Sequence, residues 1–279
     1  MKIFVTGGTG FIGSHFLNCA LAAGHEVVAL RLPGDQPKIR LSKNPEWLDA
    51  SLADDCSSHL EGCQALVHLA AVGVSPQKVT WGKLLQVNVV QSVQLWNQAI
   101  FANVKRLVIC GSCFEYGRSG ERHDLIPPDA PLEPLNAYAA SKAAATVAAL
   151  ALAAEQNVEQ LILRPFHVYG EGQHESNFWP SLKIAAFNGH DFPMTAGEQV
   201  RDFIPVEQVA AAFVRALDRS DLEPGQPKIE NLGTGQPQSL RAFAEHWWKV
   251  WNAKGKLLPG ALPYRNHEVM RYVPLISPA

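Results

Sequence analysis

A glycine-rich turn near the amino terminus constrains this chain more than any other feature. Residues 2–6 (KIFVT) form a short apolar run typical of a buried strand, and GGTGFIG follows at 7–13. From Phe11 to Ala23 apolar residues recur at helical spacing, and Gly24 is suited to end the helix. The order of strand, glycine turn and helix predicts the start of a βαβ unit.

The spacing of the glycines predicts a pyrophosphate site. Gly7, Gly10 and Gly13 allow a sharp turn and close backbone approach, and the helix amino terminus favours an anion. The next apolar run, 26–30, ends at Arg31, where dinucleotide folds usually place an acidic residue on the ribose hydroxyls. Because arginine suits a ribose 2′-phosphate, the sequence favours NADP(H) over NAD(H). The alternative is an exposed arginine that leans over the adenine.

Apolar runs alternate with helical patterns through the first 165 residues. Further runs lie at 66–70, 106–110 and 160–163, and helical patterns lie around 51–61, 83–102 and 137–156. Nearly continuous apolar strands separated by helices predict an α/β fold, a doubly wound parallel Rossmann sheet.

The pattern loosens beyond residue 165. It predicts a helix at 206–217, a strand at 228–232 and a Trp-rich helix at 239–252. We expect a dinucleotide-binding domain over 1–165 plus 203–235, and a small discontinuous substrate-binding region over 166–202 plus 236–279.

Composition excludes several classes of protein. The 279 residues carry 24 basic and 26 acidic side chains, a net charge of −2, which argues against nucleic-acid binding through phosphate neutralisation. No apolar run approaches the roughly 20 residues of a membrane span, and no signal peptide is apparent, so a cytoplasmic location and no membrane partner are expected. Five cysteines imply no disulfide framework, and the Cys and His spacing predicts no metal site. The C-x-x-C at 110–113 continues a strand, which disfavours a redox role.

Two short motifs carry acid–base chemistry. Tyr138 and Lys142 lie four residues apart, so on a helix they share one face. A nearby ammonium would lower the pKa of the phenol from its usual value of about 10. Ser112 follows the apolar run at 106–110, at the sheet edge where open α/β folds bind ligands. We therefore expect Ser112 to polarise a substrate carbonyl and Tyr138 to act as the general acid or base that transfers a proton.

Taken together, these motifs resemble the extended short-chain dehydrogenase/reductase family, the NAD(P)-dependent nucleotide-sugar epimerases, dehydratases and reductases. The motifs run in the family order over nearly the whole chain: GGTGFIG at 7–13, HLAA at 68–71, GSCFEYG at 111–117, YAASK at 138–142, RPFHVYG at 164–170 and QVRDF at 199–203. The resemblance implies a nicotinamide cofactor, a nucleotide-diphosphate sugar substrate and a homodimer built from the helices at 83–102 and 137–156.

The resemblance also implies residue roles. Ser112, Tyr138 and Lys142 would be catalytic, with Lys142 also on the nicotinamide ribose. Asp49 would hold the adenine amine. The predicted cofactor-binding residues are Gly7, Gly10, Phe11, Ile12, Gly13, Arg31, Asp49, Ala50, Leu69, Ala70, Ala71, Asn88, Cys110, Tyr138, Lys142, Pro165, Phe166 and His167. The predicted substrate-binding residues are Ser112, Cys113, His167, Asn177, Arg201 and Arg265, the two arginines on the diphosphate.

Departures from the family pattern narrow the reaction. Dehydratases carry Asp-Glu directly after the hydroxyl residue, where this chain has Cys113 and Phe114, so dehydration is disfavoured. Glu115 is shifted by one residue and, in a strand-like run, would point to the opposite side. Together with Arg31, the segment 262–270 (LPYRNHEVM) favours an NADP(H)-dependent reductase of a nucleotide-linked 4-keto-6-deoxy sugar. The alternatives are an NAD-dependent nucleotide-sugar 4-epimerase and a non-catalytic NADP-binding sensor.

Some residues admit two interpretations. His167 replaces the asparagine of many relatives, and it is either a hydrogen-bond partner of the substrate or a packed, satisfied histidine. The Ala-rich stretch at 143–154 is either a buried helix or part of a subunit interface. Trp247, Trp248 and Trp251 are more typical of a core or an interface than of a cofactor site.

Overall fold

The computed structural model describes residues 1–74, 78–265 and 268–276. The strands are β1 (Lys2–Thr6), β2 (Glu26–Arg31), β3 (Glu46–Asp49), β4 (Ala65–His68), β5 (Arg106–Cys110), β6 (Glu159–Pro165), β7 (His167–Tyr169), β8 (Phe192–Met194), β9 (Val200–Pro205), β10 (Lys228–Leu232), β11 (Pro237–Ser239), β12 (Leu257–Pro259) and β13 (Arg271–Tyr272). The helices are α1 (Phe11–Ala22), α2 (Ser57–Leu60), α3 (Trp81–Leu85), α4 (Ser92–Phe101), α5 (Ala137–Glu155), α6 (Phe178–Asn188), α7 (Val206–Leu217) and α8 (Leu240–Val250).

Within the described residues, a parallel sheet of seven strands forms the centre of the molecule. Its order is β10-β6-β5-β4-β1-β2-β3, with β1 between β2 and β4. The chain therefore winds outward in both directions from β1, which confirms the predicted doubly wound fold.

Both faces of this sheet are covered because its strands are apolar on both sides. Phe4 of β1 packs with Trp96 of α4 and Ala149 of α5 on one face. Its neighbour Val5 packs with Phe213 of α7 on the other face, together with α1. The period of two along β1 thus divides the core into two apolar layers.

The described strands that follow β6 in the chain, apart from β10, form two smaller sheets. Strands β7, β9, β11 and β13 associate through β9, and β12 pairs with β8. Helices α6 and α8 pack together, and their aromatic residues fill much of this region. The proposed division into two domains stays a prediction, and its last residues, 277–279, lie outside the described residues.

Helix α5 has the length and apolar composition of a membrane-spanning segment, the one such helix among the described residues. Buried helices of water-exposed folds meet the same criteria. Here Ala145, Ala149 and Ala153 pack into the core against β6 and α4, which places α5 as a core helix.

Several predicted boundaries were wrong. The segment 51–61 holds only the short α2, preceded by turns. The strands β3, β7, β8, β9 and β11 to β13 were not predicted, because each lacks the continuous apolar run that marks β1, β2, β4 and β5. The helix predicted at 83–102 is continuous but changes form, since residues 86–91 make a π-helix between α3 and α4.

Candidate active site

The glycine turn forms a close-packed cradle between β1 and α1. Gly7 has a φ of +72°, and a side-chain carbon there would lie 2.5 Å from the amide nitrogen of Ala70. A side-chain carbon on Gly13 would overlap the carbonyl oxygen of Gly7. Bulkier residues are therefore excluded from both positions, and Leu69–Ala71 lies directly beside the turn.

The cradle fits the pyrophosphate of a dinucleotide. Helix α1 begins after Gly10, with no side-chain cap and no acidic residue in its first turn, which includes Phe11, Ile12 and Gly13. The first amides of a helix have no acceptor within it, so this end offers donors and a positive dipole to an anion.

The two residues expected around the adenosine contact one another. The Nε of Arg31 donates to the carboxylate of Asp49 at 2.7 Å, and the guanidinium lies 4.7 Å from the centre of the Trp47 ring. The amide of Ala50 donates to the carbonyl of Arg31 at 2.9 Å. Strands β2 and β3 thus bring Arg31, Asp49 and Ala50 together at one end of the sheet, and their contact with a cofactor stays a prediction.

Asn88 lies in the π-helix and is buried. Its side-chain oxygen accepts from the amide of Val72 at 2.9 Å, and its nitrogen donates to the carbonyl of Val72 and to Ser141. Ser141 in turn donates to the carbonyl of Tyr138 at 2.8 Å. Asn88 therefore links the chain after β4 to the first turn of α5, close to the predicted catalytic residues.

The predicted catalytic residues meet at the carboxyl end of β5. Tyr138 and Lys142 lie in the first turns of α5, which packs against the turn that follows Ser112. The ammonium of Lys142 is buried and donates to the carbonyl oxygen of Cys110 at 2.7 Å. The structure therefore brings Ser112, Tyr138 and Lys142 together.

The expected lowering of the Tyr138 pKa is not found. Burial raises the pKa of this phenol well above its usual range, the thiol of Cys110 adds to the rise, and the Ser112 hydroxyl offsets only part of it. The prediction was wrong because it counted the charge of Lys142 and neglected the desolvation of the phenol. A phenol with a raised pKa stays protonated at neutral pH and can donate its proton.

Glu115 lies in a turn and not in the strand-like run that the prediction assumed. Residues 113–115 form a 3-10 turn and not a strand, and the Glu115 carboxylate folds back to accept from the amide of Ser112 at 2.7 Å. The carboxylate is fully buried and pairs with Arg164 at 2.9 Å. Sequence reasoning missed both side chains, although the pattern S-x-x-E at 112–115 is that of a capping box.

The C-x-x-C cysteines are free thiols. Burial raises the pKa of Cys110 to about 11 and that of Cys113 to about 12. Since the thiolate is the reactive form, this disfavours redox chemistry. The predicted contacts of Cys113 with substrate stay a prediction, and its carbonyl oxygen accepts from the hydroxyl of Tyr272 at 2.7 Å.

His167, the first residue of β7, lies among aromatic rings. The rings of Phe114, Phe203 and Tyr272 lie 6.0 to 6.4 Å from its own, centre to centre. Burial, together with the charge of Arg201, lowers the pKa of His167 to about 3, so the imidazole is neutral. Its Nδ1 is buried without a hydrogen-bond partner among the described residues, which does not match a satisfied core histidine.

Pro165, Phe166 and Asn177 are further predicted site residues. Phe166 is buried between Tyr116 and Tyr272, so its side chain faces an aromatic cluster and not an open cleft. It follows Pro165 at the end of β6. Asn177 precedes α6 and makes no side-chain cap there.

The two arginines expected on the diphosphate differ in their surroundings. Arg201 is largely buried and pairs with Glu268 at 2.9 Å, while Arg265 is exposed. An incoming diphosphate must therefore compete with a carboxylate for Arg201. Asn266 and His267 of the segment 262–270 lie outside the described residues.

Most of the chain matches the model of one protein family. The model of the NAD dependent epimerase/dehydratase family matches residues 3–233.

The chain belongs to this family.

Curated relatives in the family differ in their reactions. A UDP-glucose 4-epimerase of Corynebacterium glutamicum is 28% identical over 267 residues, covering 88% of this chain and 79% of its own. A dTDP-6-deoxy-L-talose 4-dehydrogenase (NAD(+)) of Aggregatibacter actinomycetemcomitans is 24% identical, covering 97% of this chain and 98% of its own. Among solved structures, MoeE5 in complex with UDP-glucuronic acid and NAD is 26% identical with a TM-score of 0.83, covering 99% of this chain and 90% of its own. Family membership thus leaves the choice between reactions to the residues of the site.

Proposed function

We propose that this chain is an NADP(H)-dependent oxidoreductase that reduces the C4 keto group of a nucleotide-diphosphate sugar, a 4-keto-6-deoxy sugar in particular. The observation that carries the proposal is the meeting of Ser112, Tyr138 and Lys142 beside the glycine cradle, with Cys113 and Phe114 in the places of the dehydratase acids.

The proposed reaction joins one hydride and one proton to the ketone. When bound, reduced nicotinamide supplies the hydride to the keto carbon, and NADP⁺ remains. Tyr138 gives its phenolic proton to the keto oxygen, which becomes the hydroxyl of the product, and solvent returns the proton to Tyr138. Ser112 donates a hydrogen bond to the same oxygen, and this stabilises the charge that develops there.

The protonation state of Tyr138 supports reduction. Burial holds the pKa of Tyr138 well above neutrality, so the phenol enters the reaction as an acid.

The substrate side supports a 6-deoxy sugar. Phe114 is half exposed and lies against His167. A benzyl group at this position offers an apolar contact for a methyl group and cannot exchange protons with the sugar. The name of the relative that acts as a 6-deoxy-L-talose 4-dehydrogenase agrees with this substrate class.

Arg31 supports the preference for NADP(H). Asp49 and Trp47 fix its side chain at the end of β2, where a ribose 2′-phosphate would lie. Asp49 accepts from Nε and the carbonyl of Asp35 accepts from Nη1 at 3.5 Å, so among the described contacts Nη2 is the nitrogen left for the phosphate. Replacing Arg31 with Ala should weaken NADPH binding at least about tenfold and leave NADH binding nearly unchanged, as fluorescence titration of each cofactor would measure.

A turnover screen tests the proposed function. Nucleotide-linked 4-keto-6-deoxy sugars and the corresponding hydroxy sugars are offered with NADPH or NADH, and loss of absorbance at the nicotinamide band is followed. We expect turnover of a keto sugar with NADPH. The proposal fails if the purified protein carries tightly bound NAD and interconverts C4 epimers without added cofactor.

That outcome would establish the second candidate, an NAD-dependent 4-epimerase. Its specific support is the 28% identical UDP-glucose 4-epimerase and the NAD of the MoeE5 complex.

We also propose a homodimer. Trp81, Leu85, Val90 and Val147 are apolar residues of the α3–α4 segment and α5 that are 40% or more exposed. Sedimentation should give twice the mass of the chain, and V90D/V147D should give the single mass.

A further inference from the structure

We propose that Glu115 is a positioning residue for the reaction, because its carboxylate fixes the backbone of Ser112 so that the serine hydroxyl can donate to the reacting oxygen. This inference rests on the proposed function, which gives Ser112 its role.

The carboxylate of Glu115 is shared between Ser112 and the core. One oxygen accepts from the amide of Ser112 at 2.7 Å. The other accepts from the hydroxyl of Thr146 at 2.8 Å and from Nε of Arg164 at 2.9 Å. Ser112 is thereby joined through one buried side chain to α5 and to β6.

The local sequence makes room for this carboxylate. A side-chain carbon on Gly111 would lie 2.9 Å from both the Glu115 carboxylate and the stem of Arg164. The glycine before Ser112 therefore lets the ion pair pack against the backbone that precedes the serine.

The same turn leaves the hydrogen of the serine hydroxyl available. The amide of Phe114 donates to Oγ of Ser112 at 3.3 Å, so the hydroxyl acts as an acceptor within the turn. A hydroxyl has one hydrogen to donate, and the turn does not use it. Glu115 and Phe114 thus hold the Ser112 backbone and Oγ, while the hydroxyl keeps its hydrogen for the phenol of Tyr138 and, once substrate is bound, for the keto oxygen.

Arg164 anchors the carboxylate to the sheet. Its guanidinium also donates to the hydroxyl of Tyr116 at 2.9 Å and to the carbonyl of Pro128 at 3.0 Å. The Tyr116 hydroxyl donates to Asn231 of β10 at 2.6 Å. Since every member of this buried chain has a partner, small displacements of Glu115 are resisted from several directions.

The charge of Glu115 also acts on the proton donor. The thiols of Cys110 and Cys113 and the carboxylate of Glu115 each raise the pKa of Tyr138, and the Ser112 hydroxyl lowers it. Lys142, on the same helix, donates to the backbone and not to the phenol. Removing the charge of Glu115 should therefore move the basic limb of the kcat profile to lower pH.

The test compares Glu115→Gln with the wild type and with Glu159→Gln. Glutamine has one acceptor and one donor end, so it must present a donor either to Ser112 or to Arg164. At a temperature where the variant is folded, we expect kcat to fall at least about tenfold, with KM and NADPH affinity within about threefold. Hydrogen exchange of the peptide 111–116 should quicken in this variant.

Glu159→Gln is the matched control. Glu159 pairs with Arg106 at 2.7 Å at the other end of β5, so its loss breaks an ion pair of the same sheet without touching Ser112. Its kcat and the exchange of 111–116 should match the wild type.

A double variant separates positioning from stability. Glu115→Leu with Arg164→Met removes both charges and leaves neither one buried alone. We expect its unfolding temperature to recover towards the wild type while kcat stays low. Recovery of kcat together with stability, or a single Glu115→Gln variant with the kcat and pH profile of the wild type, would overturn the inference. A wild type that reduces no keto sugar would instead refute the proposed function, and the exchange measurement would still report whether Glu115 holds Ser112.

Discussion

The two sides of the candidate site are held by different kinds of contact. On the side of the central sheet, backbone packs directly on backbone, and the contact of Gly7 with Ala70 leaves no room for a side chain. On the other side, around α6, α8 and β9 (the proposed substrate side), aromatic rings pack on one another. The rings of Phe203 and Phe243 stack with centres 3.9 Å apart. The first arrangement fixes a shared ligand within narrow tolerances. In the second arrangement, substitution of aromatic side chains can change the surface that faces a ligand while the sheet remains the same.

The first prediction sharpens this comparison, because chemistry should depend on the sheet side alone. Tyr138→Phe removes the proton donor and should lower kcat by at least about 10³-fold, within the range of general acid catalysis. NADPH affinity should stay within about threefold, because the ring is retained. Steady-state kinetics and fluorescence titration measure the two effects, and substantial turnover by this variant would rule out the mechanism.

The aromatic side should respond through stability and substrate affinity. Phe243→Ala removes a buried ring that stacks on Phe203 and contacts Tyr169, and should lower the free energy of unfolding by about 3 to 4 kcal/mol. Denaturant unfolding measures this loss, and KM for the sugar should rise while NADPH affinity holds.

The control for that variant is Phe101→Ala. Phe101 is 85% exposed, so its truncation should change stability by less than about 0.5 kcal/mol. Equal losses in the two variants would contradict the assigned packing.

The glycine cradle should tolerate no added carbon. Gly13→Ala would place a methyl group on the Gly7 carbonyl, and we expect a loss of about 2 kcal/mol in stability and at least about tenfold weaker cofactor binding. Gly82→Ala, in α3, meets no atom within 4 Å and should be neutral or stabilising. Calorimetry and cofactor titration distinguish the pair.

Each side holds a neutral histidine, of which His68 is buried and His167 is half-buried. Burial lowers the pKa of His68 and of His167 from 6.5 to about 3. The unfolded chain therefore binds more protons than the folded chain below pH 6.5, and stability falls as the pH falls from there towards 3. Each histidine should lower the free energy of unfolding by about 1.4 kcal/mol for each pH unit from pH 6 down to pH 4.

Removing either histidine should flatten this dependence. His68→Gln and His167→Gln should each reduce the slope of unfolding free energy against pH by about one such contribution. A slope unchanged by both substitutions would show that neither imidazole is protected from protons.

The sequence was most informative where one residue type answers one physical demand. The turn at 7–13 was readable because only glycine permits such close backbone contact. Tyr138 and Lys142 were readable because helix geometry places them on one face.

Prediction failed where the outcome depends on tertiary surroundings. The pKa of Tyr138 follows from burial, which the spacing to Lys142 does not reveal. The prediction for Glu115 was wrong because residues 113–115 form a 3-10 turn and not a strand. Its S-x-x-E pattern did carry the information, but the partner Arg164 lies 49 positions away. The short strands β7, β9, β11 and β13 were missed because none of them carries a continuous apolar run.

Those rings also give the molecule a natural optical probe. Four of its seven tryptophans, at 179, 247, 248 and 251, lie in the aromatic region, and the indoles of Trp247 and Trp251 stack with centres 5.1 Å apart. Indoles at such separations exchange excitation energy, so much of the ultraviolet emission of the whole chain reports on one small region. Binding of a ligand beside these rings should therefore change the tryptophan emission of the unlabelled protein.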